Sequence, residues 1–302
     1  MTARFSCAAA AYARDEPRYA TASTVRRWLL IEQPGPWGAS AIRESRIPSV
    51  AAEALIDLGK RLSARVLLIR RPAGRASDGT HVYVAHTGVR SRWLQSFVVD
   101  APQAALDLDL EPLRRGRSVD GRPEDDPLLL VCTNGRHDPC CAEFGRPVAD
   151  ALAAGYGELV WEVSHIGGDR FAGNVVVLPD GIYYGGLDAD RAVRVAQSHL
   201  TGHIELGAYR GRSAQPFVVQ AAEHFLRREH RLTGLDAVRW TDREALADDR
   251  WRITFATPAG MVQVDVGVGR EDEPRQLTCR APQLARPPRY DLLALRPGGA
   301  EA

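Results

Sequence analysis

The first part of the chain alternates short apolar runs with polar turns, which is the pattern of β-strands in a folded domain. These runs predict strands over residues 25–32, 64–70, 81–86 and 93–98. A longer segment, 49–62, has apolar residues at helical spacing, and Ser49 is a suitable N-cap for that helix. Residues 114–126 are rich in Arg, Asp and Gly and contain few apolar residues, so they predict a linker. We therefore expect an N-terminal α/β domain over residues 1–118.

The second part begins with a strand, a helix and a strand, and continues with a hairpin and a helix. The predicted bounds are 128–132, 142–154, 159–163, 174–178 with 181–184, and 188–199. Pro147 is the one residue that disfavours the first of these helices, and Asp188 is a suitable N-cap for the second. Pro179 to Gly181 forms the turn of the hairpin. This element order is that of a thioredoxin-like fold, which we expect over residues 127–212.

The remaining chain, residues 216–302, has fewer periodic segments. A helix is predicted over 217–230, followed by strands over 251–256 and 261–268 and at most one further strand near 286–290. This gives a small C-terminal α+β segment. The complete fold is expected to be α/β, or α+β overall, with the thioredoxin-like unit between two flanking units.

Composition limits the class of protein. The 302 residues are 45% hydrophobic, which is enough for more than one domain with a real core. Basic and acidic side chains are balanced, 39 against 38, so no overall field favours nucleic acid or an anionic membrane. No window approaches the roughly 20 apolar residues of a membrane span, and the first residues have too short an apolar stretch for a signal peptide. We expect a soluble cytoplasmic protein without nucleic-acid or membrane partners.

The five cysteines do not form the pattern of a disulfide scaffold, because their number is odd and the expected compartment is reducing. Cys132, Cys140 and Cys141 lie within ten residues of one another. Cys7 and Cys279 stand alone in the sequence, and each is expected to be a small buried hydrophobic side chain. The clustered cysteines are therefore the candidates for chemistry.

Two of the candidate residues lie at strand ends. Cys132 ends one of the two predicted strands of the βαβ unit, and His165 follows the other. Parallel strands joined by a crossover helix end side by side, at the edge where ligands usually bind in open α/β sheets. Sulfur and imidazole ligands brought together select zinc, copper or an iron–sulfur cluster over hard cations. A shared metal site at this edge is therefore predicted.

Three spaced motifs agree with one known family. They are Cys132-x8-Cys141, the stretch from His165-Ile-Gly-Gly-Asp169-Arg-Phe-Ala to Gly185, and the opening stretch 19–38, which ends Gln-Pro-Gly-Pro-Trp-Gly. In this order they resemble the sucrase/ferredoxin-like family over roughly residues 5 to 215. The resemblance is less clear over the remainder of the chain.

The resemblance implies a [2Fe-2S] cluster, because the family is related to thioredoxin-like ferredoxins that hold one. Position by position, Cys132 and Cys141 would ligate one iron and His165 the other. The second histidine of the family falls on Asp169, which is therefore the expected fourth ligand, with Cys140 as a substitute. The implied function is electron transfer or redox sensing, with a reductase or acceptor protein as partner.

Two alternatives use the same residues. Zinc accepts Cys132, Cys141 and His165, with Asp169 or Cys140 as a fourth ligand. Without a metal, Cys140 or Cys141 at the start of a helix would carry out thiol redox chemistry. No nucleotide-binding or hydrolase motif is present, and no paired carboxylates indicate a glycosidase. An electron carrier is therefore expected more than an enzyme, and sucrase activity is not expected.

Neighbouring residues have less specific roles. Gly167 and Gly168 are expected to serve the geometry of a turn. Arg170 and Asn174 either hydrogen-bond a cluster or close the loop, and the sequence leaves both roles open. The other histidines of the region, expected to be exposed, are His137, His199 and His203, the last being a candidate for a replacement ligand.

Overall fold

The computed structural model describes residues 5–72, 79–281 and 283–298 of the chain. The described helices are α1 (Cys7–Ala13), α2 (Ser49–Leu62), α3 (Pro139–Tyr156), α4 (Ala189–Leu200) and α5 (Phe217–His230). The described strands are β1 (Arg27–Glu32), β2 (Arg65–Arg70), β3 (Thr80–Thr87), β4 (Arg92–Val99), β5 (Arg122–Pro123), β6 (Leu128–Cys132), β7 (Val160–Val163), β8 (Val175–Leu178), β9 (Ile182–Tyr184), β10 (Tyr209–Arg212), β11 (Arg239–Ala247), β12 (Arg250–Thr257), β13 (Gly260–Arg270) and β14 (Pro288–Pro297). None of the described helices is long and apolar enough to cross a bilayer.

Strands from the first and second parts of the chain form one mixed sheet. Across the described residues its order is β10-β9-β8-β6-β7-β2-β1-β3-β4-β5. β6 and β7 are parallel neighbours, whereas β8 pairs antiparallel with β6, and β9 antiparallel with β8. The two parts meet where β2 pairs antiparallel with β7, with Ile69 opposite Val163 and Arg70 opposite Glu162. Backbone hydrogen bonds therefore continue across the two halves of the sheet.

Apolar side chains from both parts of this sheet form a shared core. Trp28 and Leu30 of β1 pack in it with Trp161 of β7 and Tyr183 of β9, and all are fully buried. Helices cover the other side of the strands, where α2 packs on the first part, and α3 and α4 lie side by side on the second. The fold is therefore of mixed α/β class, as the sequence predicts.

The C-terminal part is a helix packed on a second, antiparallel sheet. The order of this sheet in the described chain is β11-β12-β13-β14, and α5 covers it with Val219 and Phe225 among other apolar residues. Glu223 of α5 is completely buried, with Oε1 at 3.1 Å from Arg212 Nε and 2.8 Å from Arg227 Nε. Since Arg212 ends β10, this ion-pair network joins the C-terminal helix to the large sheet. An isolated buried carboxylate would be very unfavourable, so the pairing is required.

The helix of the βαβ unit is longer than predicted. α3 begins at Pro139 rather than at residue 142, because Asp138 caps it and accepts a hydrogen bond of 2.9 Å from the Cys140 N–H. Proline is favourable in the first turn of a helix, where its missing N–H would have no partner in the helix. Pro147 lies inside the helix, which continues past it. The longer helix places Cys140 and Cys141 in its first turn.

The two predicted helix caps had different outcomes. Asp188 caps α4, as predicted, by accepting a hydrogen bond of 2.8 Å from the Arg191 N–H. The prediction for Ser49 is wrong, because Ser49 is the first residue of α2 and Pro48 occupies the cap position without a side-chain bond. The bounds of α2 and α5 agree with the predicted ranges.

Two polar stretches are more ordered than their composition suggests. The predicted linker, 114–126, contains β5, and Val119 is buried against the first part of the sheet. Gln95 holds it there by bonding both the N–H and the C=O of Val119, at 2.9 Å each. β11 was not predicted from the sequence, because it is an edge strand whose residues are almost all exposed and polar. Both stretches are therefore positioned by contacts with other elements.

Candidate metal centre

The site is formed where β6 and β7 end side by side. Cys132 is the last residue of β6 and lies opposite Val163, the last residue of β7, in parallel register. The Cys132 N–H donates to the Asn174 carbonyl at 3.0 Å, which fixes the strand end against the start of β8. α3 passes close to this point because Gly145 has no side chain, and a Cβ there would overlap the Cys132 carbonyl. The predicted edge of the sheet is therefore the one that carries the site.

The structure brings the four predicted ligands together. One ligand atom each of Cys132, Cys141 and His165 lies within 4.8 Å of the others. Asp169 completes the group, with Oδ1 at 3.3 Å from Cys141 Sγ and 3.0 Å from His165 Nδ1. Both thiols and the carboxylate are buried, while 22% of the His165 side chain is exposed. We call these four residues the first group.

Contacts within the first group shift its pKa values. Contact with Cys141, together with His165, lowers the pKa of the Cys132 thiol against the effect of burial. The contact with Cys132 and burial together raise the pKa of Cys141. Burial lowers the pKa of His165, but Asp169 and Cys132 outweigh it and raise this pKa to about 9. Burial raises the pKa of Asp169, and contact with His165 overcomes this and lowers it. The group therefore concentrates charge in a buried place.

His137 is a residue that the sequence analysis did not assign to the site. Its ring stacks on that of His165, with centroids 3.7 Å apart and an angle of 18° between the planes. It also forms a potential ligand group with His165 and Asp169, with ligand atoms within 4.8 Å of one another. The prediction that His137 is exposed is wrong, since it is half-buried by this stack. The feature of the sequence that could have indicated His137 is its position between the two cysteines of the Cys132-x8-Cys141 motif.

The loop after β7 is held by hydrogen bonds to its carbonyls. Arg65 donates to the His165 carbonyl at 2.7 Å, and Ser23 donates to the Ile166 carbonyl at 2.8 Å. Gly167 and Gly168 have φ values of +97° and +81°, which residues with a side chain rarely adopt. A Cβ on Gly168 would also collide with the Arg210 guanidinium. The two glycines thus serve the turn that was expected of them.

Arg170 and Asn174 have separate roles, which the sequence left open. Asn174 closes the loop, because its Nδ2 donates to the Gly168 carbonyl at 2.8 Å. Arg170 instead pairs with Glu16, at 2.7 Å between Nε and Oε1. Asn174 therefore shapes the site, and Arg170 joins the loop to the N-terminal segment.

A completely buried arginine lies behind the loop. Arg210 donates to the Gly167 carbonyl at 3.0 Å, to Asn174 Oδ1 at 2.8 Å and to the Thr21 hydroxyl at 3.0 Å. Within the described chain its hydrogen bonds all go to neutral groups. Burial lowers the pKa of Arg210 to about 10. A buried cation with neutral partners favours negative charge nearby, and Cys132 and Asp169 supply it.

The donor set of the first group fits a metal ion or an iron–sulfur cluster. Two sulfurs, an imidazole nitrogen and a carboxylate oxygen converge, and sulfur with imidazole suits zinc or iron in a cluster. His165 Nδ1 is buried and, among the described residues, has no aligned hydrogen bond, although Asp169 Oδ1 is only 3.0 Å away. Such crowding without hydrogen-bond geometry is expected of ligands that share a bound centre.

Cys140 lies in a different group. Its thiol contacts those of Cys7 and Cys279, at 3.7 and 3.3 Å, rather than joining the first group. Cys7 is buried, as expected, whereas Cys279 is only half-buried, and both thiols contact Cys140 although the three residues are distant in the chain. We call Cys7, Asp138, Cys140 and Cys279 the second group.

Two other histidines lie outside both groups. His199 is buried and not exposed as predicted, because its ring nitrogens contact the Tyr184 hydroxyl and Asp180 at 3.0 Å each. His203 is exposed, as predicted, and belongs to neither group of the described residues. The candidate for a replacement ligand nearest to the site is therefore His137 rather than His203.

Comparison with known proteins matches residues 18–211 to the family model described as sucrase/ferredoxin-like. A search of curated proteins found no match. A search of solved structures also found no match. The matched range contains every residue of the first group, and it includes Cys140 and Asp138 but neither Cys7 nor Cys279 of the second.

Proposed function

The chain belongs to the sucrase/ferredoxin-like family, and from this premise we propose that it binds a [2Fe-2S] cluster and acts in electron transfer or redox sensing. The observation that carries the proposal is the convergence of Cys132, Cys141, His165 and Asp169 in front of the buried Arg210. When bound, such a cluster accepts and releases single electrons.

The fold gives the proposal independent support. The order β9-β8-β6-β7, with β6 and β7 parallel and the other pairs antiparallel, is compatible with a thioredoxin-like sheet. α3 connects the parallel strands and packs with α4 on one side of them. We propose a thioredoxin-like ferredoxin unit over residues 127–212, with flanking units over residues 1–118 and 216–302.

Each residue of the first group would have a defined role. Cys132 and Cys141 would hold one iron through thiolates, and His165 with Asp169 would hold the other. Imidazole is neutral, so its presence makes the site less negative and raises the reduction potential, as in Rieske centres. Arg210 would act in the same direction, because a buried cation stabilises the additional negative charge of the reduced state.

The position of His137 gives the site a second nitrogen donor. His137 stacks on His165, and both rings lie near Asp169. Asp169 is the fourth ligand in the proposal, and His137 would shield the ligated ring of His165 from water. The function also requires a reductase or acceptor protein as a partner, since the chain has no flavin- or nicotinamide-binding motif.

The test is the composition and spectrum of the full chain purified without oxygen. We expect brown protein with about two irons and two sulfides per chain, and visible absorption that dithionite bleaches. Cys132→Ser should abolish this absorption, while a serine at the half-exposed Cys279 should leave it in place. Colourless, iron-free protein after anaerobic reconstitution would exclude the cluster.

A second candidate is a zinc site at the first group. It is favoured by Cys132, Cys141 and His165, whose ligand atoms lie within 4.8 Å of one another and can surround a single ion. In that case zinc bound to wild-type protein would be lost in Cys132→Ser, and ample iron during expression would not replace it. Loss of iron rather than zinc in Cys132→Ser would decide for the cluster.

Thiol redox chemistry without a metal has less support. Cys132, Cys140 and Cys141 are each 1% exposed, so a disulfide substrate has no path to their sulfurs. Contact with Cys7 lowers the pKa of Cys140 to about 6, which favours the thiolate, but this sulfur is as buried as the other two.

A further inference from the structure

Three cysteines from distant parts of the chain bring their sulfurs into mutual contact. The Sγ atoms of Cys7 and Cys140 are 3.7 Å apart, those of Cys140 and Cys279 are 3.3 Å apart, and those of Cys279 and Cys7 are 3.5 Å apart. A disulfide has an S–S length of about 2.05 Å, so these are three free thiols. Three sulfurs in one triangle require an explanation other than pairing, because only two of them can pair.

Each cysteine comes from a different element. Cys7 is the first residue of α1, Cys140 lies in the first turn of α3, and Cys279 lies in the connection between β13 and β14. Cys7 and Cys140 are both 1% exposed, and Cys279 is half-buried. The triangle therefore joins the N-terminal helix, the helix that carries Cys141 and the C-terminal part of the chain.

Asp138 supplies a fourth donor next to the three sulfurs. Its carboxylate oxygens lie 3.9 and 3.8 Å from Cys7 Sγ. The same oxygens accept hydrogen bonds from the N–H groups of Cys140 and Cys279, at 2.9 and 2.7 Å. Carboxylates that ligate metals are commonly held by hydrogen bonds of this kind, which fix their direction.

We propose that the second group binds one zinc ion through the thiolates of Cys7, Cys140 and Cys279 and the carboxylate of Asp138. Zinc prefers a closed tetrahedral set of such ligands in structural sites, with Zn–S of about 2.3 Å. The edge of a sulfur tetrahedron of that size is about 3.8 Å. The observed separations of 3.3 to 3.7 Å are close to this value, and a single ion at the centre would open them slightly.

Hydrogen-bonding groups lie next to two of the sulfurs. The Cys7 N–H donates to Cys279 Sγ at 3.4 Å, and the Ser6 hydroxyl lies 3.3 Å from Cys140 Sγ. Cys140 also lies at the N-terminal end of α3, where the helix dipole favours negative charge. With three thiolates and one carboxylate, the zinc site has the same net charge as the common four-thiolate site.

The zinc would hold distant segments of the chain together, and this role does not depend on the proposed cluster. It fixes the start of α3, and the next residue of that helix, Cys141, belongs to the first group. It also ties α1 and the β13–β14 connection to this helix, although Cys7 and Cys279 are 272 positions apart in the sequence. Its ligands are complete, so the site leaves no open position for a substrate.

Metal analysis of the full chain tests the proposal. After expression with ample zinc and iron, we expect about one zinc per chain, with Zn–S distances of about 2.3 Å and about three sulfur ligands in the zinc X-ray absorption spectrum. Zinc should fall about tenfold or more in Cys7→Ser and Cys279→Ser. Cys132→Ser is the matched control, since it removes another buried thiol and should keep the zinc.

A conservative variant separates ligand loss from misfolding. Cys279→His keeps a zinc donor at this half-buried position and should retain zinc, whereas Cys279→Ser should lose it. Zinc release from wild-type protein by a chelator should make about one thiol, that of the half-buried Cys279, reactive towards a thiol reagent. Zinc content that is unchanged in Cys7→Ser and Cys279→Ser, or that follows Cys132→Ser, would overturn the proposal. Copper in place of zinc, or a disulfide detected by mass, would overturn it as well.

Discussion

Cys140 and Cys141 are consecutive residues of α3, yet their thiols belong to two different groups. Neighbouring residues of a helix point about 100° apart, so one thiol can face the sheet edge while the other faces α1. Cys141 contacts Asp169 in the first group, and Cys140 contacts Cys7 and Cys279 in the second. One helix start thus contributes thiols to two groups with different donor atoms.

The two groups differ in how they are assembled. All residues of the first lie between Cys132 and Asp169, and strand ends and one loop bring them together. The second depends on contacts among three distant segments, which are α1, the start of α3 and the β13–β14 connection. The first is mixed in donor type and lies before a buried cation, which suits a redox centre, whereas the second is dominated by sulfur and suits structural zinc. Chain separation and donor type therefore distinguish the two groups.

The largest expected effect is that serine substitutions at two adjacent cysteines remove different metals from the protein. Cys141→Ser should remove nearly all the iron and sulfide and leave the zinc, because only the first group loses a ligand. Cys140→Ser should do the opposite. Iron, sulfide and zinc are measured per chain on proteins purified in parallel. If both variants lose the same metal, the two groups are not separate sites.

Arg210 distinguishes the surroundings of the first group from those of the second. Arg210→Gln removes a buried cation and leaves carbonyl acceptors unpaired, so we expect a loss of about 2–4 kcal/mol in unfolding free energy. Iron retention should fall by about tenfold, with zinc unchanged. Denaturant unfolding and metal content are the measurements. Arg210→Lys, which keeps the positive charge, should lose less iron than Arg210→Gln. Equal iron losses in the two variants would show that the charge of Arg210 does not retain the iron.

Removal of zinc should loosen only the segments that it joins. After chelation at neutral pH, amide hydrogen exchange should become faster in α1 and in the β13–β14 connection, because the proposed zinc joins each of them to α3 through one thiolate. Exchange in the loop of Gly167 and Gly168, which other side chains hold, should change little. Exchange that rises equally in all three segments would contradict a local clamp.

Asp169 tests the fourth ligand of the first group. Asp169→His replaces an anionic ligand by a neutral one, so the reduction potential should rise, on the order of 100 mV, with the cluster retained. Asp169→Ala should lose the cluster. Redox titration followed by electron paramagnetic resonance of the reduced protein measures both. The same spectrum in wild type and both variants would place Asp169 outside the coordination shell.

The smallest effect is expected at His137. His137→Phe keeps a stacked ring but removes the nitrogen donor, so iron content should be nearly unchanged if His137 only covers His165. His137→Ala exposes the ring of His165 to water and should make the cluster lose iron a few times faster in air. Decay of the visible absorption measures the rate. Complete loss of iron in the phenylalanine variant would instead assign His137 as a ligand.

Local patterns were sufficient for much of the fold. The apolar spacing of α2 and α5 gave their observed bounds, because each buries one face along its whole length. The buried strands β6, β7 and β8 were also predicted to within a residue or two, since continuous apolar runs mark them. The exposed edge strand β11 and the packed stretch 114–126 were missed, because their polar residues are ordered by neighbours rather than by their own burial.

By itself, the sequence determined the mixed α/β class and the family, and it pointed to the residues of the first group, because they lie within one short stretch of chain and match the motifs of that family. Only the tertiary structure decided that Cys7 and Cys279 meet Cys140, that His137 covers His165, and that Arg210 is buried behind the loop. The physical reason is sequence separation. Spacing along one helix or strand fixes which residues are neighbours locally, whereas contacts between distant segments depend on how the complete sheet packs.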